Sequence, residues 1–117
     1  MQKFEYETGE VEIGNWTLLY EPPGGGHFNG KLYVTNEKLY YDSKFNISLA
    51  GIIETSLFKK TNKEGYILIP KSRIKSVIPQ KSMFKKKILI ELDNGEMHTF
   101  DYGMLNIDKI VDAINSQ

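Results

Sequence analysis

Basic residues dominate the stretch from position 59 to position 87, which contains ten lysines and arginines but one acid, Glu64. The rest of the chain carries five basic and fourteen acidic residues, so a net charge of zero hides a strong asymmetry. Such asymmetry is typical of a surface that meets an anionic partner. The candidate residues for an anionic-surface binding site are Lys71, Arg73, Lys75, Lys81, Lys85, Lys86 and Lys87.

Two features of this basic segment point to membrane contact. Lys71, Arg73 and Lys75 alternate, so we expect all three on one face of an extended strand. The lysines at 85–87 follow a Met-Phe pair at 83–84 in a predicted turn. An exposed apolar pair beside lysines could enter an anionic bilayer interface, where each basic residue contributes about 1 kcal/mol. The alternative, which we favour, is a solvated sheet face with an edge strand that lysines protect from pairing.

The charge asymmetry also suits an isologous homodimer, or two parts of one fold that face each other. Nucleic acid is not expected as a partner, because the total charge is zero and no predicted helix carries the basic residues. Single-strand stacking needs exposed aromatic side chains interleaved with lysines. Tyr33 and Tyr40 are the candidates, but tyrosines on a pleated sheet typically pack against neighbours.

Three consecutive glycines at 24–26 resemble a phosphate-binding loop in composition. Such a loop needs a following helix whose N–H groups face the anion, and usually a lysine. Here a strand-like run follows, so the glycines predict a flexible hairpin tip. A polyphosphate needs several Lys or Arg side chains, and this loop offers only His27 and Lys31. Tight binding of a phosphorylated headgroup at this loop is therefore disfavoured.

Residues suited to catalysis or metal binding are few. The chain has two histidines, His27 and His98, and no cysteine. No zinc-protease, Cys-His or nucleophile-elbow spacing occurs. We expect His98 opposite Glu91 in an exposed ion pair of small energy. The sequence therefore predicts no catalytic residue, no metal site and no cofactor, and the chain is not expected to be an enzyme.

The first of two predicted hairpins turns at Asn36 and Glu37, between two apolar runs. Asparagine tolerates the left-handed conformation that two-residue hairpin turns require. This loop would place Val34 opposite Leu39 on one face of the sheet. Tyr33 and Tyr40 would then meet on the other face.

The second hairpin turns at Asn94–Gly95, the strongest short hairpin signal in a sequence. With these two residues as the loop, we expect Leu92 opposite Met97 and Glu91 opposite His98.

One or two further strands are indicated within the first 21 residues, and others at 66–70 and 72–83, the last one bent or bulged near Pro79. Residues 43–64 fit neither the helical nor the strand period. They are interpreted either as a strand with long flanks or as a short helix.

One amphipathic helix is predicted at the C-terminal end, from apolar residues at 107, 110, 111 and 114. Asn106 is the expected N-cap, and Asp108 lies in the first turn, where the helix dipole favours an acid. A helix of this length is marginal alone, so it must dock its apolar stripe. The predicted fold is mainly β, with six or seven antiparallel strands that this helix caps.

The length fits a single domain spanning residues 1–117. The first residues lack the apolar core of a signal peptide, and no run reaches the roughly 20 apolar residues of a membrane span. The expected location is cytoplasmic, peripheral to a membrane if the basic segment binds lipid.

Three stretches resemble the GRAM and bacterial pleckstrin-homology-like (PH-like) domains. GKLYVTNEKLYY at 30–41 is similar to that family's glycine-to-hairpin pattern. ILIPKSRIKSV at 67–77 is similar to its "IPLSDIKSV" stretch, and KKKILIELDNGEMHTF at 85–100 to the hairpin before its terminal helix. The resemblance covers roughly residues 28–115. It implies a PH-like barrel of two near-orthogonal antiparallel sheets closed by the helix, with no shared catalytic site.

Three functional hypotheses follow from these observations. The first is a non-catalytic interaction module for a partner protein or a membrane surface. The second is a peripheral binder of anionic lipid through residues 71–87. The third is a binder of a small ligand at the open end of the barrel.

Overall fold

A computed structural model describes residues 6–43, 58–61 and 64–116, which form eight strands, one short 3-10 turn (Lys71–Arg73) and one C-terminal helix. The strands are β1 Glu12–Glu21, β2 Phe28–Thr35, β3 Lys38–Ser43, β4 Phe58–Thr61, β5 Glu64–Pro70, β6 Ile74–Lys81, β7 Lys86–Leu92 and β8 Met97–Asp101, and the helix is α1 Asp108–Asn115.

All eight strands belong to one antiparallel sheet in the order β4-β5-β3-β2-β1-β8-β7-β6. The prediction of a mainly β fold with a C-terminal helix is confirmed. The sheet is continuous, and its edge strands β4 and β6 do not pair with each other in the described part of the chain. There are eight strands rather than six or seven, because β4 forms within the stretch at 43–64 that had no clear period. The rest of that stretch, 44–57 and 62–63, lies outside the described residues.

Strand β1 joins the two halves of the sheet. It pairs with β2 from Glu12 to Tyr20, but with β8 only from Leu19 to Glu21. Among the described residues, the first half of β1 therefore has no strand on its β8 side. Helix α1 contacts β1, β2 and β6 and covers the inner face of the sheet there.

The core lies on this inner face. Alternate residues of the strands are buried there, including Leu32, Ile67, Ile90 and Phe100. Ile107, directly before α1, and the helix residues Ile110, Ala113 and Ile114 add to this core. The expected N-cap is wrong by one residue: Ile107 is the N-cap and has no side-chain cap, whereas the Asp108 N–H bonds Asn106 Oδ1, from the preceding position, at 2.8 Å. No helix of the described ranges is long and apolar enough to cross a bilayer.

The β2–β3 hairpin has the predicted register, with Val34 opposite Leu39 and Tyr33 opposite Tyr40. The β1–β2 connection is the glycine run, where Gly25 N–H bonds Pro22 O at 3.0 Å, and a strand follows it as expected.

The β7–β8 hairpin differs from the prediction by one residue. Leu92 N–H bonds Glu96 O at 2.9 Å and Gly95 N–H bonds Leu92 O at 3.0 Å, so the loop has three residues, not two. Gly95 has a φ of 90°, which is typical of the glycine that forms a bulge after a type I turn. Met97 therefore faces Glu91, and His98 faces Ile90.

The bulge expected near Pro79 in β6 lies elsewhere, since the register shifts between Ile74 and Ser76. Pro79 pairs with Ile88 and lies in an edge strand, where its missing N–H leaves no central ladder bond unmade.

Replacing Ile110 with alanine should lower the free energy of unfolding by about 2–5 kcal/mol, the usual cost of a cavity at a fully buried aliphatic side chain. Urea denaturation would measure the loss. Lys109→Ala, at the exposed neighbouring position, is the matched control and should change stability little. Equal effects of the two substitutions would show that α1 is not docked.

Candidate functional site

The first three candidate basic residues do not share one face of a strand. Lys71 and Arg73 lie in the 3-10 turn, and Lys75 lies at the register shift of β6. The prediction of alternating side chains on an extended strand is therefore wrong. The proline at the end of β5 is followed by a turn rather than by a continuous strand, which rotates the three side chains toward different partners.

The Lys71 side chain is hydrogen-bonded to the C-terminal end of α1. Its Nζ donates to Ala113 O at 2.8 Å and to Ser116 O at 2.7 Å. A cation at this place adds a charged donor to carbonyls at the C-terminal end of the helix, where, among the described residues, Ala113 O otherwise accepts only from Ser116 N–H at 3.2 Å. Burial lowers the pKa of Lys71. This lysine holds the helix on the sheet and is not available to an anionic surface.

Arg73 and Lys75 have acidic partners at the β7–β8 hairpin. Arg73 Nη2 lies 3.2 Å from Asp93 Oδ1, and Lys75 Nζ lies 3.9 Å from Glu91 Oε2. These contacts are largely exposed, so each stabilises the fold weakly. They nevertheless neutralise the positive charge at this end of β6.

Lys81 ends β6, and Lys87 lies near the start of the neighbouring strand β7. The two side chains are on opposite faces of the sheet. Lys81 is opposite Lys86, whereas Lys87 is opposite Gln80, and directly opposed residues share a face. Lys81 forms an ion pair with Asp108 at the start of α1. Lys87 Nζ lies 3.2 Å from Glu21 Oε2 on β1.

Two lysines at this end lack an acidic partner among the described residues. The Nζ of Lys86 reaches the carbonyl oxygen of Met104 at 3.4 Å. The Lys85 side chain is exposed. The hydrogen bonds of Lys85 in the described part of the chain are made by its backbone, with Ser82 in the turn. The positive charge that remains is thus concentrated at 85–86, and the seven candidates do not form one basic face.

An exposed apolar cluster adjoins these two lysines, and we call it the apolar tip. Its members keep between 58% and 78% of their surface exposed, and they are Met83, Phe84, Met104 and Leu105. The sequence indicated the first two. It missed Met104 and Leu105, although two apolar residues directly before a helix N-cap, outside the helical stripe, were a usable signal.

Backbone hydrogen bonds hold the two loops of the apolar tip together. Lys86 N–H bonds Gly103 O at 2.7 Å, and Tyr102 N–H bonds Lys86 O at 3.0 Å. The 82–85 turn is closed by Ser82 Oγ, which accepts from Lys85 N–H at 3.0 Å. The exposed side chains therefore project from a fixed backbone and not from separate free loops.

Beside the apolar tip lies an open cavity of about 510 Å3. Leu19 of β1 lines it together with Phe84 and Leu105 of the tip. His27, from the β1–β2 connection, also lines it and lies 3.6 Å from Glu21. The tip is thus continuous with a wider concave surface.

One titratable cluster lies inside the core. His98 is fully buried, its Nδ1 lies 2.6 Å from the Tyr20 hydroxyl, and its Nε2 lies 3.0 Å from Glu96 Oε1. The expected exposed ion pair between His98 and Glu91 is therefore wrong. The one-residue bulge at Gly95 turned His98 from the outer to the inner face, since successive strand residues alternate.

This geometry assigns one tautomer to His98. An ionised Glu96 can only accept, so Nε2 carries the proton, Nδ1 accepts, and the Tyr20 hydroxyl donates. Burial lowers the pKa of His98, although Glu96 acts in the opposite direction. Burial also raises the pKa of Tyr20, so its hydroxyl keeps its proton. A neutral His98 can form both hydrogen bonds, one with Tyr20 and one with Glu96. The cluster therefore links β1 to β8 structurally.

No group of three His, Asp or Glu side chains within the described ranges is arranged to hold a metal ion. Both ring nitrogens of His98 are already bonded, and neither it nor Tyr20 reaches solvent.

Comparisons with known proteins give a fold likeness but no family. No family model matches the chain, and no curated protein matches it. The chain is similar to a crystal structure of the C-terminal domain of an unknown protein from Leishmania infantum, with 17% identity and a TM-score of 0.59. The likeness covers 83% of this chain and 74% of that one. At this identity it shows the shared fold alone.

Replacing Lys71 with methionine should lower the free energy of unfolding by about 1–3 kcal/mol, because two carbonyls at the end of α1 lose a charged donor. Chemical denaturation would measure this loss. Lys85→Met, which removes a charge without removing a described side-chain contact, should leave stability nearly unchanged. Equal stability of the two variants would contradict the structural role of Lys71.

Stability should fall as the pH drops below 6.5, the ordinary pKa of His98. Because the folded pKa is lower, only the unfolded chain binds the proton in this range, so the slope reaches at most about 1.4 kcal/mol per pH unit. Urea unfolding from neutral pH to about pH 5 would measure it. His27→Gln should keep the decline, and His98→Gln should flatten it. A decline that survives in His98→Gln belongs to another group.

Proposed function

We propose that the chain is a non-catalytic interaction module of the PH-like, GRAM type, which docks on an anionic membrane surface through the apolar tip. The observation that carries this proposal is the exposure of Met83, Phe84, Met104 and Leu105 on two loops that hydrogen bonds hold side by side. Contiguous exposed apolar side chains on a folded domain typically mark an interaction site.

The strand order supports the PH-like part of the proposal. Apart from β4 at the edge, three strands (β2, β3 and β5) lie on one side of β1 and three (β8, β7 and β6) on the other. β8 meets only the last three residues of β1, and α1 contacts strands of both halves, β2 on one side and β6 on the other. This is the arrangement expected of two sheets that share one bent strand and are closed by a terminal helix.

The charges beside the tip favour a membrane over an uncharged apolar partner. Lys85 and Lys86 have no carboxylate partner in the described part of the chain, whereas Lys81 and Lys87 do. Each unneutralised lysine near anionic lipid contributes about 1 kcal/mol. Each apolar side chain transferred from water contributes up to about 1.5–3 kcal/mol. Together these contributions suit weak, reversible membrane binding that depends on both lipid charge and insertion.

The buried titratable cluster supports a non-catalytic role. Tyr20 and His98 are closed to a substrate, and their hydrogen bonds are used inside the protein. Binding of a small ligand, the third hypothesis, has less support, because Ile107, Ile110 and Ile114 fill the inner face of the sheet.

Co-sedimentation with vesicles tests the proposal. We expect binding to vesicles of phosphatidylcholine with phosphatidylserine, weaker binding to phosphatidylcholine alone, and a decrease as salt screens the lysines. Phe84→Ser should weaken binding several-fold through lost insertion. The matched control is Val11→Ser, which changes an equally exposed apolar residue outside the tip, and it should have no effect.

The electrostatic part has its own control pair. Lys85→Ser should weaken binding to the anionic vesicles about fivefold, the equivalent of about 1 kcal/mol. Lys75→Ser, at the far end of β6, should not change it. No binding at low salt would exclude the membrane and leave a protein partner, or a second copy of the chain, as the occupant of the tip. Equal losses in both lysine variants would mean that net charge, and not this surface, drives binding.

A further inference from the structure

The chain contains two Asn-Gly pairs, Asn29–Gly30 and Asn94–Gly95. In this dipeptide the glycine amide nitrogen can attack the asparagine side-chain carbonyl, because glycine has no side chain to hinder the approach. Whether the attack occurs in a folded protein depends on the freedom of the backbone and on the distance between the two groups. The structure places the two pairs in opposite environments.

Asn94 and Gly95 lie in the exposed loop of the β7–β8 hairpin. Asn94 Oδ1 accepts a hydrogen bond from Glu96 N–H at 3.0 Å, which folds the side chain over the Gly95 peptide unit in an Asx-turn. This hydrogen bond also polarises the carbonyl that would be attacked. Apart from Gly95 and its two chain neighbours, no described residue has an atom within 4 Å of the position that a Gly95 side chain would occupy. One hydrogen bond, from Gly95 N–H to Leu92 O at 3.0 Å, must open before attack.

Asn29 and Gly30 lie inside β2, a central strand of the sheet. Asn29 is opposite Leu19, and Gly30 is paired on both sides, with Leu18 and with Ser43. Gly30 is buried, and its extended backbone is fixed by both neighbouring strands. Attack at this pair requires the ladders on both sides of Gly30 to open, which costs more than opening one hydrogen bond of an exposed loop.

We propose that Asn94 is a site of spontaneous covalent modification and that Asn29 is protected from it. The Gly95 nitrogen forms a bond to Asn94 Cγ, the bond from Cγ to Nδ2 breaks, and ammonia leaves with the proton that the Gly95 nitrogen gives up. Water then opens the resulting cyclic imide at one of its two carbonyls. The products are an aspartate, with the backbone unchanged, or an isoaspartate, in which the side-chain carbon has become part of the backbone.

The isoaspartate product disturbs more than the loop. It inserts one atom into a three-residue loop whose length sets the register of β7 against β8. Glu96, directly after the loop, then loses the position from which it bonds His98 Nε2. The aspartate product leaves this register intact.

Peptide mapping by mass spectrometry after incubation of the full chain at mildly alkaline pH tests the proposal. In the folded protein, the peptide with Asn94 should gain the mass change of NH2 to OH at a rate about tenfold or more above the peptide with Asn29. In urea the two peptides should convert at similar rates. Conversion of the Asn94 and Asn29 peptides at equal rates in the folded protein would overturn the proposal.

A second comparison tests the consequence. The isoaspartate form, separated by ion exchange, should unfold at a lower urea concentration than Asn94→Asp, which carries the same charge on a backbone of normal length. Identical unfolding of the two forms would show that loop length does not set the register. Gly95→Ala should slow the conversion through steric hindrance of the attacking nitrogen, and unchanged conversion in that variant would contradict attack by this atom.

Discussion

The docking of α1 on the inner face of the sheet is the constraint on which the remaining structure depends. Strand β1 pairs with β8 only over its last three residues, and the apolar inner face of the sheet would be costly to leave in water without a cover. Ile110 and Ile114 cover it, while Lys71 and Lys81 attach the two ends of the helix to the sheet. The loop that leads to the helix therefore has a fixed position, and the apolar tip is rigid for the same reason.

The sequence correctly predicted the elements that depend on residues close together in the chain. The β2–β3 register followed from the turn at 36–37, and the helix from its apolar stripe. The β7–β8 turn was found, but its loop length was wrong, because an Asn-Gly pair suits both a two-residue turn and a three-residue turn with a glycine bulge. A shift of one residue exchanges the faces of a strand. That single ambiguity placed His98 outside when it belongs to the core.

The candidate surface was predicted less well, because a charge is visible in a sequence and its partner is not. Lys81 and Lys87 are neutralised by Asp108 and Glu21, which lie far away along the chain. Strand periodicity cannot anticipate such pairs, nor the 3-10 turn that separates Lys71 from Lys75. Of the predicted basic surface, only the short stretch at 83–86 remains a candidate binding site. The Leishmania infantum domain has a similar fold, but the comparison gives no information about this surface.

The edge strand β6 has a consequence for behaviour at high concentration. An exposed strand edge offers unpaired peptide groups to any neighbouring chain, and sheets that grow in this way become fibrils. Here the register shift at Lys75 bends one end of the edge, Pro79 removes a donor, and Lys81 adds charge at the other end. A second copy of the chain that approached in strand orientation would meet an interrupted ladder. The same strand that carries the 83–86 turn is therefore a poor template for polymerisation.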